Sequence, residues 1–153
     1  MSLKSLRYSL SVLFAYAVFV VAVAAATKPA INVSRGQLAL RGYDAVSYSV
    51  DGKAVRGLPA FEYRWMNAVW RFASADHLAR FKKEPEHFAP QFGGYCAYAV
   101  SQGYTADGDP TVWRVVDGHL YLNYSTDAQK LWEKDVPGNI TKGQQNWPTV
   151  LTK

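Results

Sequence analysis

Residues 112–124 read Val-Trp-Arg-Val-Val-Asp-Gly-His-Leu-Tyr-Leu-Asn-Tyr, and this stretch decides the fold class of the chain. Two runs rich in β-branched and aromatic residues flank the pair Asp117-Gly118. That pair is typical of a two-residue type I′ turn, because both of its residues tolerate positive φ angles. The stretch therefore predicts an antiparallel β-hairpin.

A second hairpin is predicted upstream of the first. Aromatic and polar residues alternate in Phe61–Trp65 and in Val69–Phe72, on either side of the turn candidate Met66-Asn67. A serine follows each hairpin, Ser74 upstream and Ser125 downstream, and serine is a favoured helix N-cap. Each hairpin is therefore expected to run into a helix.

The remaining signals complete an α+β domain. Pro85 either ends the helix after Ser74 or starts a short further turn of helix. Pro137 fits the end of the helix after Ser125, and a last helical segment is expected from about Ile140 to Pro148. The run 45–48 fits a strand. We therefore predict a small single domain with two antiparallel hairpins and three or four short helices, and no internal repeat is evident along the chain.

The first residues resemble an export signal. Lys4 and Arg7 precede an uncharged apolar run that ends in the small residues Ala24-Ala25-Ala26, which fits a signal-peptidase site. We predict a signal peptide over 1–26 and a periplasmic or secreted protein; the alternative is a retained membrane anchor. Residues 27–44 are then expected to be an extended, partly mobile lead-in, and 45–153 to be the domain.

Composition excludes several classes of protein. The formal net charge is +5, two of the basic residues lie in the predicted signal, and the others are scattered, so we expect no nucleic-acid partner. After removal of the signal we expect no membrane partner. A chain with one cysteine cannot be a disulfide-stapled miniprotein. No nucleophile elbow, phosphate-binding glycine loop or zinc-protease motif is present, so we expect a binding protein rather than an enzyme.

The single cysteine, Cys96, is the candidate functional residue with the most distinctive setting. It follows Gly93-Gly94-Tyr95 and precedes Ala97-Tyr98, so a tight turn presents it. A solitary thiol in an oxidising compartment is buried and inert, paired with another molecule, or chemically used. Those three possibilities for Cys96 remain open at this point.

The order of motifs along the chain resembles the exported, single-domain branch of the YHS domain family. The resemblance rests on Gly42-Tyr43-Asp44-Ala45-Val46-Ser47-Tyr48, Trp70-Arg71-Phe72-Ala73-Ser74, Pro90-Gln91-Phe92-Gly93-Gly94-Tyr95-Cys96-Ala97-Tyr98 and Asn146-Trp147-Pro148. It implies a YHS-like fold over nearly all of the chain after the signal. Metal-handling members of the family carry Tyr-x-Phe-Cys-Ser-x-x-Cys-x-x-x-Phe, whose two cysteine positions fall here on Ala73 and His77.

The resemblance implies binding of a transition metal ion, copper or zinc. The metal hypothesis uses Cys96 as the essential ligand, with His77 as its best partner and His87 as a third candidate. Further donors available to such a set are His119, Asp107, Asp109 and Met66. None of these spacings is an established zinc or copper pattern. The expected partner is thus a metal ion or a small ligand, with a protein partner left open.

Two alternatives to the metal hypothesis remain. In the first, Cys96 is a single redox-reactive thiol, with Gly94, Tyr95 and Tyr98 flanking the site. In the second, Cys96 is a buried core residue and the protein is a non-catalytic interaction module. The high aromatic content could also line a pocket for an apolar or planar ligand such as a haem or a quinone.

Three polar residues are expected to serve folding. Asp44, Asp135 and Asn123 are candidates for buried hydrogen-bond partners of tyrosine or tryptophan side chains.

Overall fold

The computed structural model describes residues 27–153, so the predicted signal peptide lies outside the described residues. Within 27–153 the chain has helices and two sheets, which confirms the α+β class. The strands are β1 (Val33–Ser34), β2 (Leu38–Ala39), β3 (Leu58–Trp65), β4 (Ala68–Phe72), β5 (Asp109–Val116) and β6 (His119–Asn123). The α-helices are α1 (Ser47–Val50), α2 (Ala75–Lys83), α3 (Pro85–Phe88), α4 (Ala97–Ser101), α5 (Thr126–Glu133) and α6 (Val136–Asn146). The sequence predicts α2, α3, α5 and α6; the single turns α1 and α4 are additional.

Both predicted hairpins are present. Strands β3 and β4 pair antiparallel around Met66 and Asn67, and β5 and β6 pair antiparallel around Asp117 and Gly118. All four turn residues have positive φ angles, as a type I′ turn requires. The first hairpin belongs to a four-stranded sheet of order β1-β2-β4-β3, and the second forms a sheet of its own.

The segment expected to be a mobile lead-in, residues 27–44, is attached to the body of the domain. Strand β2 pairs in parallel with β4 through Leu38 and Val69. The backbone N–H of Lys28 donates to Leu151 O and that of Asn32 donates to Gly93 O, both at 2.8 Å. The boundary predicted at residue 45 therefore does not separate a lead-in from a folded unit.

Two local predictions are wrong. The strand expected at 45–48 is instead the entry to α1, because the Asp44 carboxylate accepts from the N–H of Val46 and the Asp44 carbonyl accepts from Ser47 Oγ, each at 2.8 Å. Such side-chain bonds stabilise turns at the expense of extended strands. Pro137 does not end a helix but lies in the first turn of α6, where Asp135 Oδ1 accepts from Gly138 N–H at 3.0 Å.

Residues 27–153 contain an internal structural repeat that no repeat in the sequence indicates. Each copy begins with three consecutive residues of positive φ: 51°, 49° and 82° at 40–42, and 54°, 60° and 83° at 92–94. The N–H of the following tyrosine closes each turn, Tyr43 onto Leu40 O at 2.9 Å and Tyr95 onto Phe92 O at 3.0 Å. A one-turn helix and a hairpin follow in both copies.

The hairpins and helices of the two copies also correspond. Each hairpin has a register irregularity after its first pair, Leu58 with Phe72 in one copy and Asp109 with Asn123 in the other. Ser74 and Ser125 cap the next helices with nearly identical backbone angles and with a 3.2 Å bond from the third helical N–H. We call 40–83 the first half and 92–133 the second half. One core cluster consists mainly of buried residues of the first half, together with Leu120 and Leu122 of the second, and the other consists mainly of buried residues of the second half.

Candidate functional site

Cys96 lies sealed inside the second half. Its residue surface is 1% exposed, and its N–H donates to Ala106 O at 2.8 Å. The thiol lies 3.6 Å from Asn123 Oδ1, which accepts from it and also from the N–H of Tyr98 at 3.1 Å. The thiol is thus enclosed by the protein and bonded to a neutral amide oxygen. The position therefore agrees with the core interpretation of Cys96.

Asn123 is fully buried beside this thiol. Its Oδ1 is satisfied twice, whereas its Nδ2 has no hydrogen-bond partner among the described residues. The indole N–H of Trp132, on the helix that follows, is likewise buried without a described partner. The prediction that Asn123 is a buried hydrogen-bonding residue agrees with this burial, although its partners are a thiol and a backbone amide rather than an aromatic side chain.

His77 occupies a different polar centre, in the first half. Its Nδ1 lies 2.6 Å from Oδ2 of Asp44, and the N–H of Ala73 donates to the same oxygen at 2.8 Å. Nδ1 is therefore engaged by Asp44, and Nε2 is the ring nitrogen that faces away from this carboxylate. Nε2 points toward the carboxylate of Asp51, at 3.9 Å. Asp44 is fully buried and His77 is 8% exposed, so this pair reaches the surface only through His77.

The structure gives each of the three metal-ligand candidates a different neighbour. Cys96 contacts Asn123, His77 contacts Asp44, and His87 is exposed on α3 with its ring 4.8 Å from that of Phe88. Within residues 27–153 no group of three or more histidine, cysteine and carboxylate side chains could hold a metal ion. A ligand set that combines these three residues stays a prediction.

The residues that flank Cys96 are structural in this arrangement. Gly94 takes the last positive φ of the turn, at 83°. Tyr95 donates its hydroxyl to Pro29 O at 3.0 Å, and burial raises its pKa above the ordinary value. Tyr98 contributes its N–H to Asn123. These contacts fix the turn and the lead-in around the thiol without opening a path to it.

Asp135, the third predicted buried partner, is exposed and caps α6. The exposed His119 lies beside the hairpin turn, with its Nδ1 3.3 Å from Gln91 Nε2. Neither residue belongs to a buried polar centre.

An open apolar groove of about 390 Å³ lies where the two halves, the lead-in and the C-terminal segment meet. The side chains that matter for its chemistry are Trp65, Met66, Glu86, Phe92, Trp147 and Pro148. Trp147 packs against Phe92 with ring centroids 6.0 Å apart, and Met66 at the first hairpin turn is 52% exposed. The volume falls within the range of small-molecule sites, which are mostly apolar with few polar groups.

The aromatic content of the sequence allows a pocket lined by aromatic residues but gives no position for it. Residues of this groove come from positions far apart in the sequence, so no local motif marks it. The one signal available beforehand is the aromatic residue beside a hairpin turn, Trp65 before Met66-Asn67. Such residues lie at the tip of a hairpin, where a neighbouring segment can complete a groove.

No helix within 27–153 combines the length and the apolar character that crossing a bilayer requires. The resemblance to the YHS family, the export signal and the metal site stay predictions. Comparisons of this chain with protein families, with curated proteins and with solved structures find no match.

Proposed function

We propose that this chain is a non-catalytic binding protein, with Cys96 as a core residue, and that it takes a small apolar organic ligand in the groove between Trp65 and Trp147. The observation that carries the proposal is the groove itself: about 390 Å³, walled by two indoles, a phenyl ring and a thioether. Burial of apolar ligand surface against such walls contributes roughly 25 cal/mol per Å² before the costs of ordering.

The position of the sulfur supports a binding role over thiol chemistry. A reactive cysteine needs access for its co-reactant and stabilisation of its thiolate. Cys96 is 1% exposed and donates to an amide oxygen, and no cation lies among its described hydrogen-bond partners. The groove, in contrast, is open to solvent and contains no cysteine or histidine among its lining residues.

A neutral fluorescent aromatic, N-phenyl-1-naphthylamine, tests the proposal. We expect saturable binding to the full chain, and the indole N–H NMR signals of Trp65 and Trp147 should shift while that of the buried Trp132 does not. Trp147→Leu should weaken binding about tenfold, since loss of an aromatic wall costs on the order of 1.4 kcal/mol. The matched control is Tyr104→Leu, which removes an exposed ring outside the groove.

A second variant keeps the test interpretable if Trp147→Leu disturbs the packing of the domain. Met66 is half exposed at a turn position with φ 48°, where asparagine is well tolerated, so Met66→Asn should preserve the fold and weaken binding about threefold. Absence of saturable binding to the parent chain, or equal binding by the parent and both groove variants, would overturn the proposal.

The second candidate function is binding of copper or zinc, and the geometry that favours it is at His77. Asp44 orients the ring through Nδ1 and leaves Nε2 as the outward nitrogen, an arrangement common among metal-ligating histidines. Calorimetric titration with each ion tests this candidate. Binding that His77→Gln abolishes supports it, and loss on Cys96→Ser or His87→Gln would add those residues to the ligand set. No saturable binding, or binding that none of the three variants changes, would count against it.

A further inference from the structure

The groove carries one charged side chain among its lining residues, the carboxylate of Glu86. Glu86 is exposed on α3, and the ion pairs of residues 27–153 do not include it. An unneutralised carboxylate beside apolar walls attracts a positive charge and disfavours an anionic ligand.

The two indoles that wall the groove favour the same charge. The face of an aromatic ring is negative, tryptophan provides the strongest such face, and a cation within about 6 Å of a ring is stabilised. This chain already uses the interaction elsewhere, since Arg56 lies 4.2 Å from the ring centre of Tyr43. Trp65 and Trp147 thus add to the attraction of Glu86 rather than oppose it.

The apolar character of the walls selects the kind of cation. A metal ion or a primary ammonium is strongly hydrated and requires polar donors or acceptors to replace its water. Apart from Glu86 and Gln91, the lining side chains are apolar or aromatic and are poor in such groups. A quaternary ammonium has no N–H groups to satisfy, carries its charge on a methylated apolar surface, and is the ligand class that aromatic sites of this composition recognise.

We propose that the ligand of the groove carries a quaternary ammonium group, with its charge held against Trp65 and Trp147 and balanced by Glu86. The inference deepens the proposed function and rests on it: the groove must bind a small organic ligand for the nature of that ligand to matter.

Choline and its neutral isostere 3,3-dimethyl-1-butanol, titrated into the full chain and followed by the indole N–H signals, test the proposal. The two differ in charge and scarcely in shape. We expect choline to bind about tenfold more tightly than the alcohol, as the sum of the carboxylate and ring–cation attractions. Glu86→Gln should reduce that ratio to about twofold or threefold. The matched control is Glu84→Gln, because this neighbouring glutamate does not line the groove.

The outcomes separate the two proposals. If the alcohol binds as tightly as choline, or if choline fails to bind while N-phenyl-1-naphthylamine binds, the quaternary ammonium inference is wrong and the groove remains a binding site. An unchanged ratio in Glu86→Gln overturns the inference that Glu86 balances the charge of the ligand. If N-phenyl-1-naphthylamine does not bind, the proposed function fails, and this inference fails with it.

Discussion

The two halves of this molecule place different chemistry at the same point of the same backbone. Asp44 and Cys96 each follow a left-handed turn and a Gly-Tyr pair, and each donates its N–H to a carbonyl in the loop before the hairpin, Val55 O at 2.9 Å and Ala106 O at 2.8 Å. Asp44 then meets an imidazole, whereas Cys96 meets an amide. The turn therefore positions a side chain without deciding what that side chain does.

The residues that face the turn decide the role of the side chain that follows it. In the first half, His77 supplies both the helical N–H that bonds the Ser74 cap and the imidazole that bonds Asp44. The corresponding helical position of the second half is Ala128, which bonds its cap and has no polar side chain. Cys96 consequently has no histidine partner in its own half, and its thiol bonds Asn123 instead.

The largest effect is expected from Asp44→Ala. The change leaves the Val46 and Ala73 N–H groups and the His77 ring without their acceptor in a fully buried place. Losing one partner of a buried, hydrogen-bonded pair costs about 3–5 kcal/mol, so urea unfolding should show a drop of that size. Asp51→Asn is the control, because Asp51 is exposed and lies 3.9 Å from His77 Nε2. A loss below about 1 kcal/mol would mean that the first half does not depend on its polar centre.

Gly93→Ala probes the turn of the second half. Gly93 has φ 60°, and a Cβ there would collide with the carbonyl oxygen of Ala30. The strained φ and the displaced lead-in should together reduce the free energy of unfolding by about 3 kcal/mol. The equivalent residue of the first half, Arg41 at φ 49°, already has a side chain. Arg41→Ala should therefore cost less than about 1 kcal/mol, and equal losses at both positions would refute the distinction between the turns.

Labelling of Cys96 by a thiol reagent tests whether its thiol is inaccessible in the native chain. Because the sulfur is 1% exposed, modification requires local or global opening, and the native chain should react at least about 100-fold more slowly than the urea-unfolded chain. Absorbance of the released chromophore in the presence and absence of urea gives the ratio. A native rate near the unfolded one would restore the reactive-thiol alternative.

The smallest effect is expected at Asp109, which pairs with Arg41 of the other half at 3.3 Å. Partial burial alone would raise the pKa of Asp109, but hydrogen bonds from Thr111 and the charge of Arg41 outweigh it, so the pKa is lowered. A lowered native pKa contributes stability above the unfolded pKa, and this contribution is lost as the pH falls through the native value.

Asp109→Asn should thus reduce the free energy of unfolding by less than about 1 kcal/mol at pH 7 and change it little at pH 2. Urea unfolding at both pH values measures the difference, with the exposed Asp107→Asn as control. A loss that is unchanged at pH 2 would show that the charge of Asp109 does not contribute to holding the halves together.

Local signals account for what the sequence predicted correctly. Asp117-Gly118 and Met66-Asn67 form tight turns because their own residues accept positive φ, and Ser74 and Ser125 cap helices through bonds to the N–H three residues on. Such preferences act within a few residues, so alternation and caps define the hairpins and the helices after them.

The misplaced elements depend on partners far along the chain. Residues 33–39 join the sheet because β2 pairs with β4, and 45–48 turn into α1 because Asp44, held by His77 and Ala73, bonds the chain ahead of it. The repeat is not evident in the sequence because its two copies have the same backbone course but few residues in common. Among the common residues are the pairs Gly42-Tyr43 and Gly94-Tyr95.

By itself, the sequence determined the α+β class, both hairpins and the helices that follow them, since those preferences are written in short spans of residues. Only the tertiary structure decided that Cys96 is buried beside Asn123, that His77 belongs to Asp44, and that Trp65 and Trp147 border one groove. The physical reason is that burial and contact depend on which distant segments pack together, and packing is a property of the whole domain.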